Sequence, residues 1–243
     1  MVSQTTAPLD YAYLGHHAGE CPYLPNREMR LHYLDGNHAG YLYRYLMDAG
    51  FRRSGRLLYR PECPQCNECK VLRVPVDEFR KSKEQRRVWN RGVTVFDIRV
   101  APVSYSDEKL DLQRRYMQFQ HRESEMPDRE SYEGFLVRTC LGGRTRELQL
   151  WHDGKLCGLG VFDEFIDALS SVNFFFDPAM ARWSPGTFSA LAEIALARQW
   201  GKTFYYLGYY IAECDTMNYK TRFKPCQLKD TVGQWRDFVS GES

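Results

Sequence analysis

The order of the periodic segments in the second half of the chain constrains its fold more than any other feature. Asp153-Gly154 is a hairpin turn signal, and Ser184-Pro185-Gly186 begins a long helix that Gly201 ends. Strands are predicted at 147–152, 155–162, 168–176 and 203–207, and helices at 106–121, 128–139, 187–200 and 215–223. Because strands alternate with helices after an initial hairpin, we expect an α+β fold with a mixed sheet.

The first half of the chain is less regular and predicts a separate, smaller domain. Residues 1–25 contain three prolines and show no period, so we expect an irregular segment there. The patterns further predict a helix at 38–49, a strand at 57–59, an extended run before 76 and a strand with a linker at 92–103. A chain of 243 residues suits one large domain or two small ones, and we expect two domains, 1–103 and 104–243.

Composition excludes several classes of protein. No segment reaches the roughly 18 consecutive apolar residues of a membrane span. Met1 to Glu20 carry no basic side chain, unlike a secretory or organellar leader, so we expect a cytoplasmic protein. Eight cysteines in 243 residues are about 3%, well below the roughly 8–10% of disulfide scaffolds. We therefore expect reduced thiols, some of them grouped for metal or redox chemistry.

Positive charge is concentrated in one region of the chain. Residues 21–100 hold sixteen Lys and Arg against nine Asp and Glu, whereas residues 101–171 hold nine against thirteen. The formal net charge of the whole chain is only +2, so this asymmetry is hidden in the total. It indicates a polyanionic partner that is bound by the first region.

The density of basic residues peaks on a predicted helix. Ser82, followed three residues later by Gln85, is a capping-box pattern, so the helix is expected to begin at 83. We assign phosphate binding to four of its side chains, Lys83, Arg86, Arg87 and Arg91. Three of them recur at every fourth position, and like-charge repulsion disfavours such a stripe unless an anion binds. The alternative is a solvated helix face with Glu84 as an internal counter-ion.

Three cysteines lie within seven residues, at Cys63, Cys66 and Cys69, and Cys21 is available as a fourth ligand. Two-residue spacers let a tight turn point successive sulfurs at one ion. Four thiolates suit tetrahedral Zn²⁺ or an iron–sulfur cluster, so the spacing predicts a metal site. The alternative is a group of small buried side chains beneath a proline-rich turn.

Several segments together resemble the aminoacyl-tRNA–protein transferases. The segments similar to that family's N-terminal region are Cys21-Pro22-Tyr23-Leu24-Pro25, Gly50-Phe51-Arg52-Arg53-Ser54-Gly55, Tyr59-Arg60-Pro61, the cysteine cluster and Ser82-Lys83-Glu84-Gln85-Arg86-Arg87. The segments similar to its C-terminal region are Ser184 to Thr187, Tyr206-Leu207-Gly208-Tyr209-Tyr210 and Met217-Asn218-Tyr219-Lys220-Thr221-Arg222-Phe223-Lys224-Pro225. They follow one another in the family's order from about residue 20 to 235, and the short chain is most similar to the bacterial branch that transfers leucine.

The resemblance implies a function and a set of partners. It implies transfer of leucine from its tRNA ester to the α-amine of a protein that begins with Asp or Glu. The modified protein is then degraded. Charged tRNA is then the co-substrate, and neither a membrane nor DNA is a partner. The resemblance also implies that the C-terminal part has the fold of the GNAT acyltransferases. An arginine donor, an acetyl-CoA-dependent acetyltransferase and a nucleic-acid-binding module without catalysis are the alternatives.

The chemistry of such a transfer requires little from the protein. The α-amine has a reference pKa of roughly 7.7–8.0 and the ester is already activated, so positioning supplies most of the rate and no metal or cofactor is needed for the reaction. An acceptor carboxylate requires a cation, and the candidates are Arg52, Arg53, Lys220 and Arg222. Ser54, which adjoins Arg53, is a further candidate for binding the substrate. Exposed turn charges or tRNA phosphate contacts are the alternative roles of these cations. Asp215 and Tyr219 are the candidates for proton transfer. The alternatives are that Asp215 only caps a helix and that Tyr219 only packs its ring in the core. The resemblance further implies that the basic helix, with Lys83, Arg86, Arg87 and Arg91, binds tRNA.

Overall fold

The computed structural model of the chain describes residues 12–120 and 126–239. Within these ranges the strands form two sheets, and the smaller sheet is antiparallel. Its strands are β1 (Tyr13–Glu20), β2 (Glu28–Asp35), β3 (Arg52–Ser54) and β4 (Leu57–Pro61). They lie in the order β1-β2-β4-β3, so the short strand that carries the two adjacent arginines is at one edge.

The larger sheet has eight strands. They are β5 (Lys70–Pro75), β6 (Asp97–Pro102), β7 (Thr145–His152), β8 (Lys155–Glu164), β9 (Ala168–Phe176), β10 (Phe204–Tyr210), β11 (Gln227–Lys229) and β12 (Trp235–Asp237). Their order is β12-β11-β5-β10-β9-β8-β7-β6. Strands β9 and β10 run parallel and the other neighbours run antiparallel, which confirms the expected α+β fold with a mixed sheet.

Helices cover both faces of the larger sheet. They are α1 (Gly36–Ala39), α2 (Tyr43–Asp48), α3 (Lys83–Val95), α4 (Asp107–Gln120), α5 (Arg129–Tyr132), α6 (Pro185–Gln199) and α7 (Asp215–Asn218). A 3₁₀ turn, Tyr219–Arg222, continues α7, and a π turn, Glu133–Val137, continues α5. None of the helices within the described ranges is both long and apolar enough to cross a bilayer.

Alternation along β10 assigns its side chains to two different cores. Tyr205 packs with Phe188 and Leu191 of α6 on one face of the sheet. Tyr206 packs on the other face with α2 and the smaller sheet, in the same cluster as Tyr209. The central strand therefore connects both layers, and each layer can position groups at its end.

The helix α3 lies against α6 because a glycine permits close approach. A Cβ atom at Gly92 would lie 2.1 Å from the ring of Phe188, which no real contact allows. On the same helix, the predicted capping box is confirmed. Ser82 Oγ accepts from the backbone N–H of Gln85, and the Gln85 side chain accepts from the N–H of Ser82.

Most elements predicted for the second half are confirmed. The errors lie in segments whose secondary structure depends on tertiary contacts. The strand and linker expected at 92–103 is a helix up to Val95 followed by β6, and the helix expected at 38–49 is interrupted by a 3₁₀ turn. The irregular segment expected at 1–25 is wrong from Tyr13 to Glu20, because β1 pairs with β2. Residues 1–11 and the predicted helix end at 121 lie outside the described residues.

The larger sheet takes strands from both sides of the expected boundary after residue 103. β5 pairs with β10 and β6 pairs with β7, so residues 70–75 and 97–102 complete a sheet whose other strands come from 145–237. The smaller sheet and the cysteine segment lie wholly before the boundary. The division into 1–103 and 104–243 stays a prediction.

Candidate functional site

The parallel strands β9 and β10 separate after three residue pairs. The pairing runs from Phe204 opposite Ala168 to Tyr206 opposite Ser170. Both strands continue, β9 to Phe176 and β10 to Tyr210, but they make no further pair with each other. Backbone groups that face such a gap can hydrogen-bond an extended ligand, as a sheet edge does. This gap between β9 and β10 is the centre of the candidate site.

Lys220 lies at the β10 side of the gap. Its ammonium donates to the backbone carbonyl of Tyr209 at 2.6 Å, and the residue is 8% exposed. Burial and the neighbouring guanidinium of Arg52 lower the pKa of Lys220 to about 8. Among the described residues no carboxylate lies within 4.0 Å of this ammonium. Lys220 is thus a buried cation without a counter-ion.

Arg52 is a second buried cation beside Lys220. One of its nitrogens, Nη1, donates to the carbonyl of Phe51 at 2.8 Å, but Nε and Nη2 have no hydrogen-bond partner within residues 12–120 and 126–239. The guanidinium lies 5.5 Å from the ring centres of both Tyr206 and Tyr209. Unpaired donors in a buried site cost roughly 1–3 kcal/mol each, and more when charged. The pair Arg52 and Lys220 is therefore suited to an anionic ligand.

The adjacent arginine has a different role. Arg53 Nε and Nη2 bind both oxygens of Asp163 at 2.8 and 3.0 Å, and both side chains are fully buried. Thr145 donates to the same carboxylate at 2.8 Å. Ser54, predicted with it, is half-buried at the end of β3. Arg53 thus fastens the smaller sheet to β8, and its own charge is already neutralised.

A cavity of about 350 Å³ lies next to Tyr209. Tyr209 contacts both buried cations and forms part of the cavity wall together with Gly50 and Cys69. Gly50 has a φ of 96°, and a side chain at this position would also press on Arg60. Arg52 and Lys220 do not line the cavity, but three other cations do, at Arg60, Lys70 and Lys229, together with one carboxylate, Asp230. Its size and charge suit a short acidic segment of peptide.

Sequence reasoning missed a buried carboxyl group near the β9 side of the gap. Glu193 of α6 is 1% exposed and accepts from the Tyr205 hydroxyl at 2.8 Å, with Ser189 at 3.5 Å. Burial raises the pKa of Glu193 to about 7, although the surrounding hydroxyls lower it. A glutamate between Ala192 and Ile194 on an apolar helix face was the available signal.

Asp215 and Tyr219, expected to transfer protons, lie at the surface near this site. Asp215 is exposed and accepts from the side chain of Asn218 at 3.3 Å, which is a local contact within α7. Tyr219 is 38% exposed, and burial of the rest of the ring raises the pKa of its hydroxyl. Their assignment to proton transfer stays a prediction.

The basic helix is fastened to the segment that carries Lys220 and Arg222. The side chain of Gln85 donates to the backbone carbonyl of Arg222 at 3.0 Å, and Arg80 N–H donates to that of Lys224 at 3.2 Å. Lys83, Arg86, Arg87, Arg91 and Arg222 are all exposed. None of these five has a carboxylate within 4.0 Å in the described part of the chain. The structure thus brings the predicted phosphate-binding residues beside the candidate site.

The four clustered cysteines are free thiols, and three accept hydrogen bonds at sulfur. The donors are Leu24 N–H to Cys21, Arg30 N–H to Cys63 and the Arg27 guanidinium to Cys66, each at 3.4 Å. Burial and the nearby sulfurs of Cys63, Cys21 and Cys66 raise the pKa of Cys69 to about 12. The sulfurs are thus near one another, but among the described residues no three of them lie within 4.8 Å of one another, as the ligands of one ion would. The predicted metal site at these cysteines stays a prediction.

Comparison with protein-family models gives two matches. The model described as arginine-tRNA-protein transferase, N terminus, matches residues 19–87, and the C-terminus model of the same transferase matches residues 108–230. The matched segments include the cysteines, the two arginines of β3, the start of α3 and Lys220.

Three similar proteins are named aspartate/glutamate leucyltransferase. The one from Pseudomonas fluorescens is 38% identical over 214 residues, which cover 86% of this chain and 89% of the relative. The relative from Marinobacter nauticus is 38% identical, and the match covers 90% of this chain and 92% of the relative. The relative from Chromobacterium violaceum is 35% identical, and the match covers 91% of each chain. Each is therefore similar to this chain over nearly its whole length.

The fold has a counterpart among solved structures. The structure of FemX superposes with a TM-score of 0.54 at 8% sequence identity, covering 93% of this chain and 88% of FemX. At that identity the likeness shows the fold alone, and it confirms the GNAT-like architecture expected of the larger sheet.

Proposed function

Because the chain belongs to the arginine-tRNA–protein transferase family, we propose that it transfers leucine from leucyl-tRNA to the α-amine of proteins that begin with Asp or Glu. The leucine donor is supported by the names of relatives that match nearly the whole chain. The acidic acceptor is supported by one structural observation: Arg52 and Lys220 are buried cations for which the described part of the chain supplies no carboxylate. The product would carry an N-terminal leucine that marks it for degradation.

The reaction forms an amide bond and breaks an ester bond. The neutral α-amine attacks the leucyl carbonyl, the amine loses a proton, and the ribose hydroxyl of tRNA leaves with one. With a reference pKa of roughly 7.7–8.0, about a tenth of the amine is already neutral at pH 7. The protein then has to hold the amine against the ester, and the unpaired backbone edges of β9 and β10 suit an extended acyl or peptide group.

Arg52 and Lys220 would bind the acceptor carboxylate. Arg52 Nε and Nη2 have the two-pronged geometry that a carboxylate favours, and Lys220 would add a point charge. Both Arg52 nitrogens are enclosed and neither cation lines the cavity, so the side chains around Tyr209 would have to move as the acceptor enters. Tyr209 contacts both cations and lines the cavity, so it would form the boundary between the acidic side chain and the rest of the peptide. Arg53 is not part of this proposal, since Asp163 occupies it.

The exposed face of α3 would bind the tRNA backbone. Lys83, Arg87 and Arg91 supply charges without carboxylate partners, and Arg86 and Arg222 widen the same surface. The Gln85 side chain joins the start of α3 to the segment 219–222, which carries Lys220. That connection would fix the distance between the tRNA backbone and the gap that receives its aminoacyl end.

The four cysteines would hold a structural metal ion. The chemistry of Cys21, Cys63, Cys66 and Cys69 fits tetrahedral Zn²⁺ or an iron–sulfur cluster, and the N–H donors at three sulfurs fit thiolates. Because no three of these sulfurs lie within 4.8 Å of one another in the described residues, binding would require the segment 63–69 to close around the ion. Such an ion would fix the segment 63–69 that lines the cavity. It would take no part in the transfer, which needs no Lewis acid.

The acetyl-CoA alternative is disfavoured by the turn before α6. Pyrophosphate binding at a helix start requires free backbone N–H groups. Here the N–H of Ser184 donates to the carbonyl of Ala181 at 2.9 Å and Pro185 has none, which leaves only the N–H groups of Gly186 and Thr187 in the first turn. Tight acetyl-CoA binding measured by calorimetry would restore that alternative.

A transfer assay with matched donors and acceptors tests the proposal. Purified protein is mixed with leucyl-, arginyl- or phenylalanyl-tRNA and with peptides that begin with Asp, Glu, Asn or Ala. We expect leucine transfer to the Asp and Glu peptides, and at least tenfold lower kcat/KM for the Asn peptide. Arginine transfer in place of leucine would overturn the donor, and equal transfer to the Asn and Asp peptides would overturn the role of the buried cations.

A further inference from the structure

Two histidines and a glutamate meet on the smaller sheet, away from the candidate site. One ring nitrogen of His16, one ring nitrogen of His32 and a carboxylate oxygen of Glu62 all lie within 4.8 Å of one another. His16 of β1 stands directly opposite His32 of β2 in the strand register. Glu62 follows β4 and is anchored to β2 by two hydrogen bonds with Arg30, at 2.7 and 2.8 Å. Three separate strands thus place these groups together.

The spacing of these atoms matches the edges of a metal polyhedron. His16 Nε2 lies 3.1 Å from Oε2 of Glu62, and His32 Nδ1 lies 3.2 Å from Oε1, the oxygen that Arg60 also contacts. Ligands at the roughly 2.0–2.2 Å bond lengths of zinc, arranged tetrahedrally, are about 3.3 Å apart. A divalent ion would take the place of the two hydrogen bonds that join the imidazoles to the carboxylate, so only small side-chain shifts are needed.

The groups around this cluster orient its members as outer partners of a metal site do. The Tyr13 hydroxyl bonds the other nitrogen of His16, Nδ1, at 2.7 Å, which fixes the ring with Nε2 towards Glu62. The guanidinium of Arg60 contacts Glu62 and favours its charged form. The three ligand side chains are 36%, 21% and 30% exposed, so the cluster is open on one side to water as a further ligand.

We propose that His16, His32 and Glu62 bind a divalent transition-metal ion of the zinc type, at a site separate from the four cysteines. Two imidazoles and one carboxylate form a nitrogen and oxygen donor set, which differs in kind from thiolates. Glu62 precedes Cys63 directly, so the segment that follows β4 would carry ligands of two different metal sites. The role of this ion is structural, because it would tie the edge strand β1 to β2 and to the end of β4.

Titration with Co²⁺ and zinc analysis of the full-length protein test this site. Thiolate-bound Co²⁺ gives an intense near-ultraviolet charge-transfer band, whereas a nitrogen and oxygen site gives only weak visible bands. The protein is stripped of metal and titrated as wild type, His16→Ala, His32→Ala and Glu62→Gln. We expect each variant to lose the weak visible bands, with affinity reduced at least tenfold, and to keep any thiolate band.

His17→Ala is the matched control, since His17 neighbours His16 on the opposite face of β1 and pairs with Leu31. It should bind metal as the wild type does. Tyr13→Phe, which keeps all three ligands, should weaken binding by roughly 10–100-fold. Circular dichroism establishes that each variant is folded. The proposal is overturned if the wild type shows no site of the nitrogen and oxygen type, or if His16→Ala and His17→Ala bind equally.

Discussion

The lowered pKa of Lys220 predicts a specific pH dependence for acceptor recognition. With a pKa of about 8, Lys220 is about 90% charged at pH 7 and about 10% charged at pH 9 in the free enzyme. The cause is burial together with Arg52, so the shift belongs to this site and not to lysines in general. If the charged form binds the acceptor carboxylate, recognition weakens about tenfold between these two pH values.

The substitution Lys220→Arg isolates this effect. A guanidinium keeps its charge across the whole range, so the variant lacks the titration. The acceptor amine also titrates near pH 8, but it does so equally with both enzymes. We therefore expect the ratio of wild-type to variant kcat/KM for an Asp peptide to fall about tenfold from pH 7 to pH 9.

Initial rates with excess leucyl-tRNA at five pH values give this ratio, and thermal melts at each pH show that both enzymes are folded. Lys220→Met supplies a second comparison, because it should be slow at every pH and add no titration of its own. A ratio that stays constant from pH 7 to pH 9 would refute the assignment of Lys220 to the acceptor carboxylate.

Three further predictions follow from other contacts. Glu193→Gln should raise the free energy of unfolding by about 3 kcal/mol at pH 8 but change it little at pH 4.5. The wild type loses stability as pH rises from 4.5 to about 7, because over that range Glu193 ionises only in the unfolded chain. Urea unfolding measures this difference, with the exposed Glu213→Gln as the control. The double variant Arg87→Ala, Arg91→Ala should reduce the slope of log binding constant against log salt concentration for tRNA by about 1–2. The control double variant Arg129→Ala, Arg236→Ala should leave that slope unchanged. An unchanged slope for the first variant would mean that α3 faces solvent and not tRNA. Arg53→Met should cost about 3–5 kcal/mol by leaving Asp163 buried and unpaired, and Asp163→Leu in addition should restore most of it; no recovery would contradict the pairing.

Local signals were sufficient for much of the fold. Ser82 and Gln85 satisfy each other's backbone groups within one turn, so the start of α3 follows from four residues. The hairpin at Asp153-Gly154 and the helix start at Pro185 are equally local. The strand β1 was missed because its order depends on β2, and its exposed side chains carry no alternation of their own.

The site depended on contacts that no local pattern contains. Arg52 and Arg53 are identical neighbours, and alternation along β3 requires only that they face opposite ways. Which of them is neutralised depends on Asp163, which lies 110 residues further along the chain. Composition could nominate both arginines for an acceptor carboxylate, but only the packed structure shows which one keeps unpaired donors.

The position of β10 explains why these groups converge. Its buried tyrosines face two different layers, so Tyr205 reaches Glu193 on α6 while Tyr209 reaches Arg52 on the smaller sheet. Its backbone holds Lys220 where β9 has already diverged. β10 is restrained along its length by β5 and by the layers on its two faces, so its end stays ordered although β9 has diverged. A transfer that relies on positioning gains most from groups attached to such an element, because small displacements of the amine from the ester lower the rate steeply.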